Sequence, residues 1–174
     1  MAVGNVQITG TGQLIELSRR LKMAGGPRLK ANFTRRIRRA AEPLHNDMRQ
    51  TIRTLPIDAE PRRAGSRGGK SPTTRPLRAT IAEAVRLSVR TGANPGARVW
   101  VDRSALPSDL KFMPEGMNKS NGRIRHPTFG NKGRGGWVNQ WTTPMWWDKT
   151  VQRHQPRMRA EVEKVLSDVR RTIT

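Results

Sequence analysis

The chain has 174 residues, enough for a single domain or a domain with arms. Only 34% of its residues are hydrophobic, so its core is expected to be modest, and the absence of cysteine excludes disulfides, thiolate metal sites and cysteine nucleophiles. The net charge of +21 indicates a negatively charged partner: nucleic acid, an anionic membrane surface or an acidic protein face.

The N-terminal half is predicted to be mainly helical. Residues 1–12 contain a weak alternation that fits a short strand or a mobile arm, and a short helix is expected over 13–23. A long helix is predicted from about residue 27 to residue 55, with a kink or break near Ala40 because Pro43 interrupts the pattern. Its apolar stripe recurs in steps of three and four: Phe33, Ile37, Ala40 or Ala41, Leu44, Met48, Ile52 and Leu55.

The middle of the chain changes to the pattern of strands. Residues 56–76 are rich in proline, glycine and arginine and are predicted to form an extended basic loop. After residues 77–84, a helical turn or an early strand, the runs 85–90 and 97–103 alternate and predict a β-hairpin with one basic, solvated face. Its apolar face is expected to pack against the long helices through Val85, Leu87, Val89, Val99 and Val101.

The C-terminal half is predicted to end in a helix. Residues 104–122 fit a short helix or a structured loop, and 123–136 fit a glycine-rich basic loop. An amphipathic helix is predicted from about residue 144 to the end, with a bend possible at Pro156. Its stripe is Trp147, Val151, Met158, Val162, Val165, Leu166, Val169 and Ile173. The expected class is therefore α+β: a small antiparallel twisted sheet packed against a long N-terminal and a C-terminal amphipathic helix, with long basic loops, in a single domain spanning 1–174.

Positive charge is concentrated in one part of the chain, since residues 19–78 hold 17 basic and four acidic side chains. This predicts contact with DNA phosphates or with an acidic protein surface, although a solvated face would carry the same charge. No helix-turn-helix or zinc-finger spacing supports base-specific recognition. The predicted basic contact surface consists of Arg35, Arg36, Arg38, Arg39, Arg62, Arg63, Arg67, Lys70, Arg123, Arg125, Lys132 and Arg134.

Four of the five tryptophans lie between residues 137 and 147. A cluster this dense forms either a packing anchor or a contact surface, and a stacking platform for single-stranded nucleic acid is a further reading. Trp146 and Trp147 open the amphipathic helix, so at least one of them is expected to face its apolar stripe. The predicted subunit or partner interface consists of His126, Phe129, Trp137, Gln140, Trp141, Trp146 and Trp147.

No catalytic or metal-binding pattern stands out. The histidines His45, His126 and His154 are scattered, and the glycine-rich segment 130–136 lacks the ending of a phosphate-binding P-loop. The carboxylates are equally dispersed, so no acid–base pair is indicated. The sequence predicts neither an enzyme nor a cofactor, and it contains no apolar stretch long enough to span a membrane and no apolar core of a signal peptide.

The order of residues at the C-terminal end resembles a known family. His126-Pro127 is followed by Phe129-Gly130, then by Trp137-Val138 and Gln140, and then by Pro144, an aromatic pair and a terminal helix. This order resembles that of the neck and tail-completion proteins of long-tailed bacteriophages, which form rings between the capsid portal and the tail tube. The likeness runs from the β-hairpin to the C-terminus and does not account for the loop 56–76.

The resemblance implies a non-enzymatic structural protein of the virion, made in the host cytoplasm and placed at the head-to-tail junction. It implies a homo-oligomeric ring of six or twelve copies that contacts adjacent connector and tail-terminator proteins, with packaged DNA as a further candidate partner. The alternative is a stand-alone nucleic-acid-binding protein that uses the arginine-rich helix and loop.

Overall fold

The computed structural model describes residues 5–9, 27–59, 76–90, 96–127 and 137–173, together with isolated positions between residues 12 and 23. Its long N-terminal helix, C-terminal helix and antiparallel strands confirm the predicted α+β class. In chain order the elements are β1 (Asn5–Thr9), α1 (Pro27–Thr54), β2 (Ile57–Ala59), α2 (Leu77–Glu83), β3 (Val85–Arg90), β4 (Gly96–Val101), a 3-10 turn (Arg103–Ala105), α3 (Met113–Met117), β5 (Arg123–Pro127), β6 (Trp137–Thr142) and α4 (Trp146–Ile173).

Helix α1 has almost the predicted bounds, and its whole apolar stripe from Phe33 to Leu55 is buried. Of the predicted kink or break near Ala40, the break does not occur: the helix continues through Pro43 without interruption. An interior proline removes one backbone hydrogen bond and costs about 3 kcal/mol. Burial of the stripe on both sides of Pro43 offsets that cost, since each fully buried large apolar side chain contributes roughly 1.5–3 kcal/mol.

The first sheet has the strand order β1–β4–β3, and both pairings are antiparallel. The predicted hairpin is confirmed: Val85 lies opposite Val101 and Leu87 lies opposite Val99. Val85, Val99 and Val101 are buried, whereas Leu87 and Val89 are half-buried and pack against the core. The N-terminal segment supplies a strand, because Asn5–Thr9 pairs with β4 along its whole length.

A second three-stranded sheet, in the order β2–β6–β5, was not predicted. Residues 123–127 were expected to be loop, but they form β5 and pair antiparallel with β6. Strand β2 occupies the first residues of the predicted loop 56–76 and pairs with the other edge of β6. The rest of that loop, residues 60–75, lies outside the described residues.

Helices α1 and α4 run antiparallel. Near one end Asp47 accepts hydrogen bonds from Arg153 at 2.6 Å and from His154 at 2.7 Å, and near the other end Arg36 pairs with Asp168. Between these contacts Ile37, Ala40 and Ala41 of α1 share a buried cluster with Val162 and Val165 of α4. Helix α4 continues through Pro156, and the side chains of Leu166, Val169 and Ile173 lie outside the described residues.

Candidate interaction surfaces

The tryptophan cluster is divided between the core and the surface. Trp146 and Trp147 are 1% and 3% exposed, and their rings meet edge to face with centroids 5.6 Å apart. Both belong to the main hydrophobic core, so their predicted role in a subunit interface is wrong. The reason is that the first turn of α4 lies directly over the core, where two large aromatic side chains bury the most apolar area.

The start of α4 is fixed by Asn118, a buried side chain that follows α3. Its Oδ1 accepts the backbone N–H of Trp147 at 2.8 Å, and its Nδ2 donates to Asp148 at 2.9 Å. Immediately before the helix, Met145 has a left-handed backbone with φ of 55° and is 36% exposed. The chain therefore turns sharply between β6 and α4 and leaves Met145 at the surface.

Trp141 lies on the outer face of the second sheet, which we define as Asp58, Arg123, Arg125, Asn139 and Trp141. It occupies the central strand, lies opposite Arg123 on β5 and opposite Asp58 on β2, and is 37% exposed. The Nε of Arg123 donates to Asn139 Oδ1 at 2.9 Å, which holds the guanidinium over this face. Gln140 alternates to the inner face and is half-buried, so Trp141 rather than Gln140 is presented to a partner.

The first sheet carries a similar arrangement on the basic, solvated face that the sequence predicts for the hairpin, although its residues are not among the predicted site residues. Its outer face consists of Arg86, Ser88, Arg90, Arg98 and Trp100. Trp100 is on the central strand opposite Arg86, and the guanidinium of Arg98 lies 4.8 Å from the centre of its ring. In the sequence, this face is indicated by the alternation of Arg86, Ser88 and Arg90 with apolar residues.

Asp102 directly follows β4, at the end of the outer face of the first sheet. The Ser104 hydroxyl donates to Asp102 Oδ1 at 2.6 Å, and Arg86 Nε lies 3.8 Å from Oδ2. The pKa of Asp102 is lowered, mainly by the hydrogen bond from the Ser104 side chain and with a smaller contribution from the charge of Arg86. The carboxylate therefore stays charged and offsets part of the positive charge at this end of the sheet.

The four predicted arginines of α1 differ in their surroundings. Arg35, Arg38 and Arg39 are exposed, whereas Arg36 is half-buried and pairs with Asp168 of α4. The pKa of Asp168 is lowered, first by the hydrogen bond from Arg36 and further by Arg171. Arg36 thus links two helices, and Arg35, Arg38 and Arg39 are the members available to a partner.

Several predicted site residues cannot be placed on these surfaces. The side chains of His126 and Trp137 are not described, although their backbones lie where β5 ends and β6 begins. Outside the described residues lie Arg62, Arg63, Arg67, Lys70, Phe129, Lys132 and Arg134.

Two open grooves flank α1. One lies between α1 and α4, encloses about 840 Å³ and is lined by both basic and acidic side chains, among them Arg39, Arg157 and Glu163. The other lies between α1 and the start of β3, encloses about 860 Å³ and is lined by Arg38, Arg49 and Arg86 among others. The second groove is mainly polar and therefore suits a charged partner, whereas the first mixes charged and apolar side chains.

Comparison with known proteins gave no relative: no family model, curated protein or solved structure matches the chain. In the described part of the chain, no group of three or more His, Asp or Glu side chains is arranged to hold a metal ion. None of the described helices combines the length and the apolar character needed to cross a membrane.

Proposed function

We propose that the chain is a structural, non-enzymatic virion protein of a long-tailed bacteriophage that forms a ring in the connector between the capsid portal and the tail. The observation that carries the proposal is the exposure of Trp141 on the outer face of the second sheet, inside the segment that resembles the neck proteins. Tryptophan and arginine are among the residue types most enriched at the energetic centres of protein interfaces.

The described residues of the resemblance lie on two paired strands and on the helix that follows them. Strand β5 ends at His126-Pro127, β6 begins at Trp137 and contains Gln140, and Pro144 forms the turn into α4. The order of residues therefore corresponds to a hairpin followed by a helix. This supports treating the segment as a module rather than as a chance succession of common residues.

The exposed side chains of this module suit contact with a neighbouring subunit. Trp141 and Met145 leave apolar surface in solvent. On the face of Trp141, the exposed Arg123 and Arg125 lie on one neighbouring strand and Asp58 lies on the other. In a ring each subunit presents two different faces to its neighbours. Trp141 would be the anchor on one of them, and the arginines would pair with acidic groups on the adjacent copy or on a connector or tail-terminator protein.

The decisive variant is Trp141→Ala, with Trp100→Ala as the matched control on the other sheet. Because Trp141 is not part of the core, the variant should remain folded, as judged by circular dichroism. It should lose ring assembly in negative-stain images and by light scattering, and particles made with it should be capsids without attached tails. Trp100→Ala should assemble normally.

Two results would contradict the proposal. If Trp141→Ala unfolds the chain, the residue belongs to the core and another surface must form the interface. If mass spectrometry of purified tailed particles made from the genome that encodes this chain does not detect it, the chain is not a virion protein.

A second candidate function is nucleic-acid binding, favoured by the exposed Arg35, Arg38 and Arg39 of α1 and by the net charge of +21. Such binding rests on phosphate contacts and weakens steeply as salt is raised. Useful affinity of the isolated monomer for DNA near physiological salt, with a steep salt dependence, would favour this function over the ring.

A further inference from the structure

The groove between α1 and β3 combines a helix flank with the outer edge of a sheet. Its helical wall includes Arg38, His45 and Arg49, and its other wall consists of Val85, Arg86 and Leu87. Arg38 and Arg49 are eleven residues apart, so this wall is about 16 Å long. That length matches roughly five residues of extended chain.

The hydrogen bonds around β3 show which of its backbone groups face the groove. The carbonyl of Ala84 accepts the N–H of Asp102 at 2.8 Å and so points towards β4. The next carbonyl, that of Val85, accepts a hydrogen bond from His45 Nε2 at 3.2 Å and so points towards α1. Because the direction alternates along an antiparallel strand, the N–H and C=O groups of Leu87 and Val89 also point away from β4. Leu87 lines the groove, and Val89 continues the same edge beyond it.

This edge is open within the described part of the chain, where β3 pairs with β4 and with no other strand. Outward-pointing backbone groups at the edge of a sheet are a template for a further strand. An extended segment laid along β3 would receive hydrogen bonds at Leu87 and Val89, and its alternate side chains would face the flank of α1.

The charges along the groove favour an acidic segment. Arg38 and Arg49 lie on one wall and Arg86 on the other, against the carboxylates Glu42 and Glu83. The Nε of Arg49 is buried and has no hydrogen-bond acceptor among the described residues. Arginine forms strong charge-assisted hydrogen bonds with carboxylates, and the net charge of +21 attracts acidic chains.

We propose that this groove binds an acidic, extended segment of a partner protein as an added strand along the outer edge of β3. Backbone hydrogen bonds at Leu87 and Val89 hold the segment in register, and Arg38, Arg49 and Arg86 select its negative charge. The described part of a single copy supplies both walls of the groove, so this inference does not depend on the proposed ring.

The test uses the full chain and a fluorescein-labelled peptide of three Glu-Val repeats, with binding followed by fluorescence anisotropy. The acidic peptide should bind saturably, and a Lys-Val peptide of equal length should not. Two N-methylated versions then test the mode of binding. Only alternate N–H groups of an added strand face β3, so methylation at glutamate nitrogens and at valine nitrogens should have unequal effects, one abolishing binding and the other sparing it.

Variants of the protein test the two walls separately. Val89→Pro removes an N–H that points away from β4, which an edge strand tolerates, and it should abolish binding while the fold is kept. Arg38→Gln combined with Arg49→Gln should weaken binding about tenfold or more. Arg53→Gln, an exposed arginine of the same helix that does not line the groove, is the matched control and should change affinity less than about twofold.

Several outcomes would overturn the proposal. They are the absence of saturable binding to the acidic peptide, equal binding of the two N-methylated peptides, or equal binding of the Lys-Val peptide. Tighter binding of an oligothymidylate that is unaffected by Val89→Pro would assign the groove to nucleic acid. A change in oligomeric state with Val89→Pro, without peptide binding, would assign the edge to a second copy. If Val89→Pro fails to fold, the N-methylated peptides decide alone.

Discussion

Asn118 and Trp147 are joined by a hydrogen bond of 2.8 Å in which the backbone N–H of Trp147 donates to the Asn118 side chain. The first N–H groups of a helix have no partner within the helix, and here a buried side chain from 29 residues earlier supplies one. The two residues thereby connect the end of α3 to the beginning of α4.

Asn118→Ala should destabilise the protein by about 1–3 kcal/mol, because the buried N–H of Trp147 loses its acceptor. The free energy of unfolding from urea titration measures this effect. Asn121→Ala is the control, since Asn121 is exposed and accepts only the neighbouring N–H of Arg123. Equal losses for the two variants would mean that burial of Asn118 adds nothing to its hydrogen bond.

A new negative charge should strongly destabilise the protein on the inner face of β3 and have little effect on its outer face. Leu87→Asp places a carboxylate against both hydrophobic clusters and should cost on the order of 3 kcal/mol. Ser88→Asp places it on the outer face opposite Arg98 and should stay within about 0.5 kcal/mol of wild type. Thermal unfolding distinguishes them, and a stable Leu87→Asp protein would show that the register of the hairpin is inverted.

Gly122 cannot be replaced without strain. Its φ is +60°, and a Cβ added there would lie 2.1 Å from the carbonyl oxygen of Thr142. Gly122→Ala should therefore cost roughly 2–4 kcal/mol. Gly116→Ala is the matched control, because a Cβ there meets nothing within 4 Å, and it should be neutral or stabilising by up to about 1 kcal/mol. Chemical denaturation of both variants tests the contrast.

The ion pair between Arg36 and Asp168 should make stability depend on pH in the acidic range. The pKa of Asp168 is lower in the folded state, because of the hydrogen bond from Arg36. Its contribution is therefore fully present above the ordinary aspartate pKa of about 4, and it is lost as the pH falls through the lower, folded value.

The difference in unfolding free energy between wild type and Asp168→Asn should accordingly be constant above about pH 5 and shrink towards acid. In an Arg36→Gln background the same substitution should show a smaller pH dependence. An unchanged pH dependence in that background would show that Arg36 is not the cause of the lowered pKa.

Much of the fold could be predicted from apolar spacing alone. The stripe of α1 from Phe33 to Leu55 recurs without a gap, and the alternation in β3 is regular, so burial follows directly from the pattern. The break expected near Ala40 does not occur, because continuous burial on both sides of Pro43 outweighs one lost backbone hydrogen bond. The tendency of proline to interrupt a helix was identified there, but the larger stabilisation from packing of the apolar stripe was not taken into account.

The second sheet could not be predicted because its strands are short and depend on one another. Ile57–Ala59 has only three residues, and Arg123–Pro127 places the buried Ile124 between two arginines and a His-Pro pair. Neither alternates long enough to indicate a strand, and both become strands by pairing with β6. The roles of the tryptophans were missed for a related reason: Trp141 and Trp146 are close in sequence, but a sharp turn at Met145 separates a sheet face from a helix in the core.

The pairing of β2 with β6 has a mechanical consequence. Strand β2 begins three residues after α1 ends, and β6 ends four residues before α4 begins. The pairing of Ile57 with Thr142 therefore connects the C-terminal end of α1 to the N-terminal end of α4. At the far end the same helices are tied by Arg36 and Asp168. Helices α1 and α4 and these two connections form a closed frame. A force applied along one helix is therefore shared with the other at both ends and is not carried by a single contact.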